Sequence, residues 1–302
     1  MTERAAPSFP FLFAHFSSPA PRGSAREFFA RLIRARLAGV GLAIVVIFTL
    51  SAILAPVIAP FSPTQQRVTN KLNPPSFENL LGTDELGRDI LSRVLYGGQA
   101  SLTVGILAVG IALLTGTILG LIAGYWNNSI FDQLIMRAMD ALLAFPVLIL
   151  ALTLVAALGA SLQNVVIAVG IVGIPTYARL SRGQVLSVKE NEYVVAARTV
   201  GATDFRAIFH HILPNITAPL IVQSSLGIAF AILAEAALSF LGLGVQPPTP
   251  SWGGMLAAGR GYLDLDAWLI FGPGMAIFLC VLGFNFLGDG IRDVLDPRMR
   301  NQ

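Results

Sequence analysis

The sequence predicts an all-helical integral membrane protein with six transmembrane helices. Three observations carry that expectation. Of 302 residues, 55% are hydrophobic and only 12% charged, whereas a soluble domain carries about 25% charged residues. The mean hydropathy is +0.72. Six apolar stretches, finally, come close to the ~20 residues that a helix needs to cross about 30 Å of hydrocarbon.

The stretches are Leu37–Ala59, Leu102–Tyr125, Ala138–Leu158, Val165–Ala178, Thr217–Leu241 and Ala267–Leu287. The fourth is the shortest, and the polar helical sequence after it is expected to complete it, because a membrane-embedded backbone must satisfy its own polar groups. The first follows Arg31, Arg34 and Arg36. It is too long for the h-region of about 7–15 residues in a secretory signal, so it reads as an uncleaved first span. Four segments result: a cytoplasmic tail (1–36), the first span with an external loop (37–99), the main transmembrane domain (100–288) and a second cytoplasmic tail (289–302).

Orientation follows from the basic residues. Of the 20 Lys and Arg, fifteen fall on the side that holds both termini. Only Arg67, Lys71, Arg88, Arg93 and Arg260 fall opposite, and most of these are mixed with Glu78, Asp84, Glu85 and Asp89. Both termini are therefore expected in the cytoplasm. The net charge of +3 comes mainly from scattered Arg between apolar runs, without the aromatic-interleaved basic face of a nucleic-acid binder. The single cysteine, Cys280, lies within an apolar run and supports neither a disulfide framework nor a metal cluster. No cofactor is expected. His210 and His211 are adjacent and point to different helix faces, which argues against a joint metal site.

Within the spans, Gly116, Gly120 and Gly124 form a doubled small-xxx-small stripe that lets another helix backbone come close. Pro146, Pro175 and the Gly272-Pro273-Gly274 triplet are expected to bend their helices. They suit hinges of a moving pore, although Gly and Pro are also simply commoner in membrane helices.

The loop between the fourth and fifth spans, 179–216, is the most informative segment. It contains Glu192-Tyr-Val-Val-Ala-Ala-Arg-Thr-Val-Gly201, then Ala-Thr-Asp-Phe-Arg-Ala-Ile-Phe-His-His-Ile-Leu-Pro214. A helix through Ala196 and Ala197 is expected to end at Gly201, which suits a left-handed C′ position. Thr203 can cap the next helix, with Asp204 in its first turn. That second helix, with Arg206 in it, is expected to last about two turns and stop near Pro214. Phe205, Ile208 and Phe209 share a face at i, i+3, i+4 spacing and would form a knob for a partner's groove. The alternative is that this face packs on the protein's own helices.

These residues resemble the loop signature of ABC-importer permeases: Glu-Ala-Ala, three residues, Gly, nine residues, Ile-x-Leu-Pro. Ala196, Ala197, Gly201, Leu213 and Pro214 match in register, while Val195 stands where the Glu belongs and His211 where the Ile belongs. Glu192 lies one turn before Val195. Further stretches resemble the C-type permease of dipeptide, oligopeptide and nickel importers: Leu81-Gly-Thr-Asp-Glu-Leu-Gly-Arg-Asp-Ile-Leu-Ser-Arg93, Met139-Asp-Ala-Leu-Leu-Ala-Phe-Pro146, Glu235-Ala-Ala-Leu-Ser-Phe-Leu-Gly-Leu-Gly-Val-Gln-Pro-Pro-Thr-Pro-Ser-Trp-Gly253 and Leu295-Asp-Pro-Arg298. The resemblance implies a type I importer transmembrane domain in a bacterial inner membrane. It also implies a related B-type permease as partner, two ATPase subunits docked on the cytoplasmic loops, and an extracytoplasmic binding protein. The cargo it implies is a peptide, with nickel or another small solute as the alternative.

An energy source within the chain is not expected. Its two lysines, Lys71 and Lys189, do not end a GxxxxGK[ST] loop. An ion-coupled carrier would need ionisable residues near the midplane, and Glu235 alone lies well inside a span. A membrane enzyme would need clustered catalytic groups on one membrane face, which the sequence does not suggest. At the bilayer centre an acidic group costs about 3 kcal/mol, which a few Leu or Ile offset, so Glu235 must face the bundle or the path. It reads as a gate contact or as a structural hydrogen bond. Asp140 could pair with Arg137 at i, i+3 spacing near the path's cytoplasmic entry. Asp84, Arg88 and Asp89 would either meet the binding protein or orient the start of the second span.

Overall fold

A computed structural model describes residues 32, 36–264 and 266–295. The N-terminal tail, with Arg4, Arg22, Arg26, Arg31 and Arg34, lies outside the described residues, as do Asp296–Arg298 of the C-terminal motif. Among the described residues the chain is helical, with one isolated bridge, Thr83 to Asp89.

The elements are α1 (Arg36–Ile53), α2 (Ala55–Ile58), α3 (Ile90–Tyr125), α4 (Ile130–Leu143), α5 (Val147–Leu158), α6 (Leu162–Val188), α7 (Glu192–Thr199), α8 (Asp204–Phe240), α9 (Trp252–Gly259) and α10 (Trp268–Leu295). Four of them, α3, α6, α8 and α10, are long and apolar enough to span a membrane, and α4 with α5 makes a bent fifth. The shorter apolar α1, extended by α2 across a break at Leu54, occupies the place of the first expected span.

The second span departs from expectation at its start. α3 begins at Ile90, twelve residues before Leu102, because Asp89 caps it by accepting the Ser92 N–H at 2.8 Å. Hydropathy discounts the polar residues of that first stretch, yet Ser92, Arg93 and Ser101 are buried within the protein. The third span is not one helix. α4 and α5 meet at 91° across Ala144-Phe145-Pro146, and the twelve residues of α5 measure about 18 Å, short of the hydrocarbon thickness. Pro175 and Pro273 lie within continuous helices, so of these three expected bends the one at Pro146 alone is a break. The fourth span is completed as expected, since α6 runs unbroken from Leu162 through the polar sequence to Val188.

α3 and α6 form the most extensive helix pair of the fold. A Cβ on Gly116 would lie 2.6 Å from Tyr177 Cβ and 2.7 Å from the Ile174 carbonyl oxygen, and one on Gly124 2.7 Å from Val185 Cβ. Gly120 faces Ala178 and Ser181 just as closely. The glycine stripe thus seats backbone on backbone, as the small-xxx-small pattern predicts. α8 packs on α3, α6 and α10, and α1 lies along α10.

At the end of the bundle remote from α7, the segment 60–89 folds over the helices. Asp84 accepts the Leu86 and Arg88 N–H groups through Oδ1 and the Arg88 Nε through Oδ2, at 2.6–2.9 Å. Asp89 also takes Asn79 Nδ2 and Ser92 Oγ. Asp84, Arg88 and Asp89 are all buried. Trp252 of α9 is buried beside Gly97 and Gly98 and donates Nε1–H to the Val94 carbonyl at 2.9 Å.

Candidate functional site: the loop segment and its junction with the spans

α7 ends as its sequence dictates. Gly201 adopts φ +93°, its N–H bonds the Arg198 carbonyl and the Ala202 N–H bonds that of Ala197, the paired bonds of a Schellman motif. Among the described residues nothing lies within 4 Å of a Cβ at Gly201, so the glycine answers the backbone angle and not crowding. Thr203 then caps α8, its hydroxyl accepting the Arg206 N–H at 3.4 Å, with Asp204 in the first turn.

Pro214 does not stop this helix. From Ala207 to Ile212 the chain makes a π turn and then resumes α-helix at Leu213, so α8 runs on to Phe240. The expected stop fails because Pro214 falls in the first turn of the resumed α-helix, where a missing N–H costs little. Asn215 Nδ2 donates to the His211 carbonyl at 2.6 Å, satisfying one acceptor freed by the change of register.

The expected apolar knob is divided. Phe205 is 71% exposed and Phe209 48%, with ring centroids 4.4 Å apart. Ile208 is buried in the protein's own core with Val194, Ala207 and Ile212. Exposed apolar surface continues onto Val195 and Val200 of the α7 turn, and Glu192, Ala196 and Arg206 are exposed too. Phe205 and Phe209 also edge an apolar cavity of about 600 Å³ formed with Leu114, Ile118 and Trp126 of the α3 end.

Two ties hold that end of α3. The Tyr125 hydroxyl donates to Asp204 Oδ1 at 2.5 Å, with the Arg198 guanidinium 5.6 Å from the tyrosine ring. On the other side Lys189 Nζ donates to the Gly124 carbonyl at 3.1 Å and to Asn127 Oδ1 at 2.5 Å. Burial lowers the Lys189 pKa from its ordinary value. Neither tie was visible in sequence: the partners stand 79 and more than 60 residues apart.

Asp140 pairs with Arg179 of α6 at 2.5 Å, across helices, in place of the expected i, i+3 contact with Arg137. The crossing of α4 on α6 brings Arg179 nearer than its own helix does. A second pair, Asp132 with Arg182, had not been anticipated: Nε lies 2.7 Å from Oδ1 and Nη2 2.9 Å from Oδ2. The eight-residue spacing of Asp132 and Asp140, about two turns on one face, is the signal that could have suggested both. With Arg137, Asn128 and Gln133, these residues line a cavity of about 580 Å³.

Glu235 is wholly buried in α8 and accepts Ser101 Oγ of α3 at 2.8 Å and Ser239 Oγ at 2.7 Å. Ser239 Oγ also accepts the Val245 N–H at 3.2 Å. The carboxyl thus links α3, α8 and the loop after α8.

Residues 116–301 match the profile of the family described as binding-protein-dependent transport system inner membrane component, and residues 24–75 that of the N-terminal TM domain of oligopeptide transport permease C. The dipeptide transport system permease protein DppC of Alkalihalophilus pseudofirmus is 50% identical over 91% of this chain and 90% of its own. The di/tripeptide transport system permease protein DppC of Pseudomonas aeruginosa is 48% identical over 86% and 88%. A structure of the MetNI methionine ABC transporter in inward-facing conformations, only 16% identical, superposes on 68% of this chain and 98% of its own with a TM-score of 0.58. That likeness establishes the fold as a type I ABC-importer transmembrane domain.

Proposed function

Because the chain belongs to the family of binding-protein-dependent transport system inner membrane components, we propose that it is the C-type permease subunit of an ATP-driven importer of di- or oligopeptides. The peptide cargo is supported by the dipeptide and di/tripeptide permeases that it resembles at 48–50% identity. The subunit pairs with a B-type permease in the inner membrane, with both termini cytoplasmic as the distribution of Lys and Arg indicates. ATP is bound by two separate ATPase subunits, and a binding protein delivers peptide to the face formed by 60–89 and α9.

One observation carries the coupling role of the loop 179–216. Phe205 and Phe209 present adjacent, mutually tilted and exposed rings in the first turns of a 37-residue helix that reaches across the bundle. A partner that grips those rings takes hold of the leading turns of α8. Nucleotide-driven closure of the ATPase pair then rocks the spans between inward-open and outward-open states. Phe205→Glu should abolish co-purification of the ATPase subunits with the permease pair, and undiminished co-purification would sink the docking role. Uptake of a radiolabelled dipeptide into proteoliposomes should follow enclosed ATP and persist when ion gradients are collapsed. Nickel uptake in the same assay would redirect the cargo assignment.

A further inference from the structure

The π turn raises the question of how movement at Phe205 reaches the membrane. Residues 207–212 separate Asp204 and Phe205 from the regular part of α8, and a turn with shifted hydrogen bonds is a place where a helix gives. A push on the loop can therefore be absorbed before it travels along α8.

We infer that Tyr125 is a positioning residue that carries loop movement into the transmembrane helices through its bond to Asp204, bypassing the π turn. Asp204 lies on the loop side of that turn, and Tyr125 is the last residue of α3. The 2.5 Å bond between them joins the ends of two long spans. The tyrosine ring is buried, held edge-on by Trp126 at 5.1 Å and faced by Arg198 of α7, so α7, α8 and α3 converge on it.

Behind Tyr125 the path is stiff. Gly124, Gly120 and Gly116 hold α3 against α6 at distances that leave no room even for a methyl group, and close-packed contacts of this kind transmit displacement instead of absorbing it. Lys189 fastens the same end of α3 to the end of α6. Displacement of Asp204 consequently moves α3 and α6 as a pair.

This rests on the reading of the loop as the ATPase dock, and the test separates the two. The complete importer, with both permeases, the ATPase subunits and the binding protein, is reconstituted in proteoliposomes. Peptide moved per ATP hydrolysed is measured for Tyr125→Phe, together with recovery of the ATPase subunits on the purified complex. Tyr125→Phe should lower the transport-to-hydrolysis ratio about threefold or more, within the range over which single residues change coupling between distant sites, with full recovery of the ATPase subunits. Asp204→Asn, which keeps a carbonyl acceptor for the Tyr125 hydroxyl, should retain a ratio close to wild type. A wild-type ratio in Tyr125→Phe would overturn the inference. So would loss of the ATPase subunits from that variant, since Tyr125 would then be shaping the dock itself. Normal ATPase recovery with Phe205→Glu would instead remove the docking reading on which the inference stands.

Discussion

Arg182 holds Asp132 with two parallel hydrogen bonds, Nε at 2.7 Å from Oδ1 and Nη2 at 2.9 Å from Oδ2, while 5% of the aspartate side chain remains exposed. The Asn128 N–H adds a third donor to the same carboxylate at 3.0 Å. The pair fastens α4 to α6 on one side of the 91° bend. Eight residues on, the Asp140–Arg179 pair makes a similar link with both side chains 51% exposed.

The two pairs should differ sharply when broken. Arg182→Met leaves a buried carboxylate without its cation. The cost should be about 2–3 kcal/mol, below the ~3–5 of a fully buried pair because the arginine is itself partly exposed. Arg179→Ala should cost less than about 1 kcal/mol, as for a solvent-screened surface pair. Apparent melting temperatures of the detergent-solubilised chain would show it, with a drop of about 5 °C for Arg182→Met and little change for Arg179→Ala. Equal drops would mean that the bend is not pinned by Asp132.

The α3–α6 seam offers a comparison within a single helix. At Gly116 an added methyl meets Tyr177 Cβ and the Ile174 carbonyl at 2.6 and 2.7 Å, and backbone cannot step aside as a flexible side chain can. At Gly110 no described residue lies within 4 Å of an added Cβ. Gly116→Ala should therefore destabilise by about 1–3 kcal/mol through overpacking. Gly110→Ala should be neutral or gain up to about 1 kcal/mol from reduced backbone entropy. Thermal denaturation of both variants checks this, and a stable Gly116→Ala would mean that the helices can separate at no cost.

What the sequence made legible was local. The Gly116, Gly120 and Gly124 stripe, the turn at Gly201 and the Thr203 cap each follow from residues within a few positions of one another. Pattern reading failed where neighbours come from afar. Hydropathy started α3 at Leu102 because it cannot know that Ser92, Arg93 and Ser101 are buried by other segments. Pro214 read as a stop because a π turn leaves no periodic signature of its own. Helical periodicity placed Ile208 beside Phe205 and Phe209, but the core that claims Ile208 includes Val194 and Ile216. Tyr125 carried no signal, since its partner lies 79 residues on.

Glu235 separates structural from transport roles. Its carboxyl accepts two serine hydroxyls inside the protein. Glu235→Gln keeps a carbonyl acceptor for one of them, so peptide uptake should stay within about twofold of wild type, a change worth less than ~0.5 kcal/mol. Glu235→Ala leaves Ser101 and Ser239 without this acceptor and opens a void, at a cost of about 2–4 kcal/mol, seen as lower yield of the assembled complex. Impaired uptake by a stable, fully assembled Glu235→Gln would place this residue on the peptide's path.

Gly201 tests whether the geometry of the loop matters separately from its surface. Its φ of +93° is one that an L side chain adopts only under strain, and among the described residues no neighbour occupies the space where a Cβ would go. Gly201→Ala should therefore act on the turn alone, costing about 1–2 kcal/mol locally. Because α7 and α8 meet at this turn, the strain should redirect Val195 and Val200 relative to Phe205 without altering any of them. Affinity of the ATPase subunits for the permease pair should fall by about tenfold, the equivalent of ~1.4 kcal/mol. Gly201→Asn should recover most of it, because asparagine tolerates left-handed backbone better than alanine does. Equal losses for Ala and Asn would point to a contact made by the glycine backbone itself, in place of a requirement for its angle.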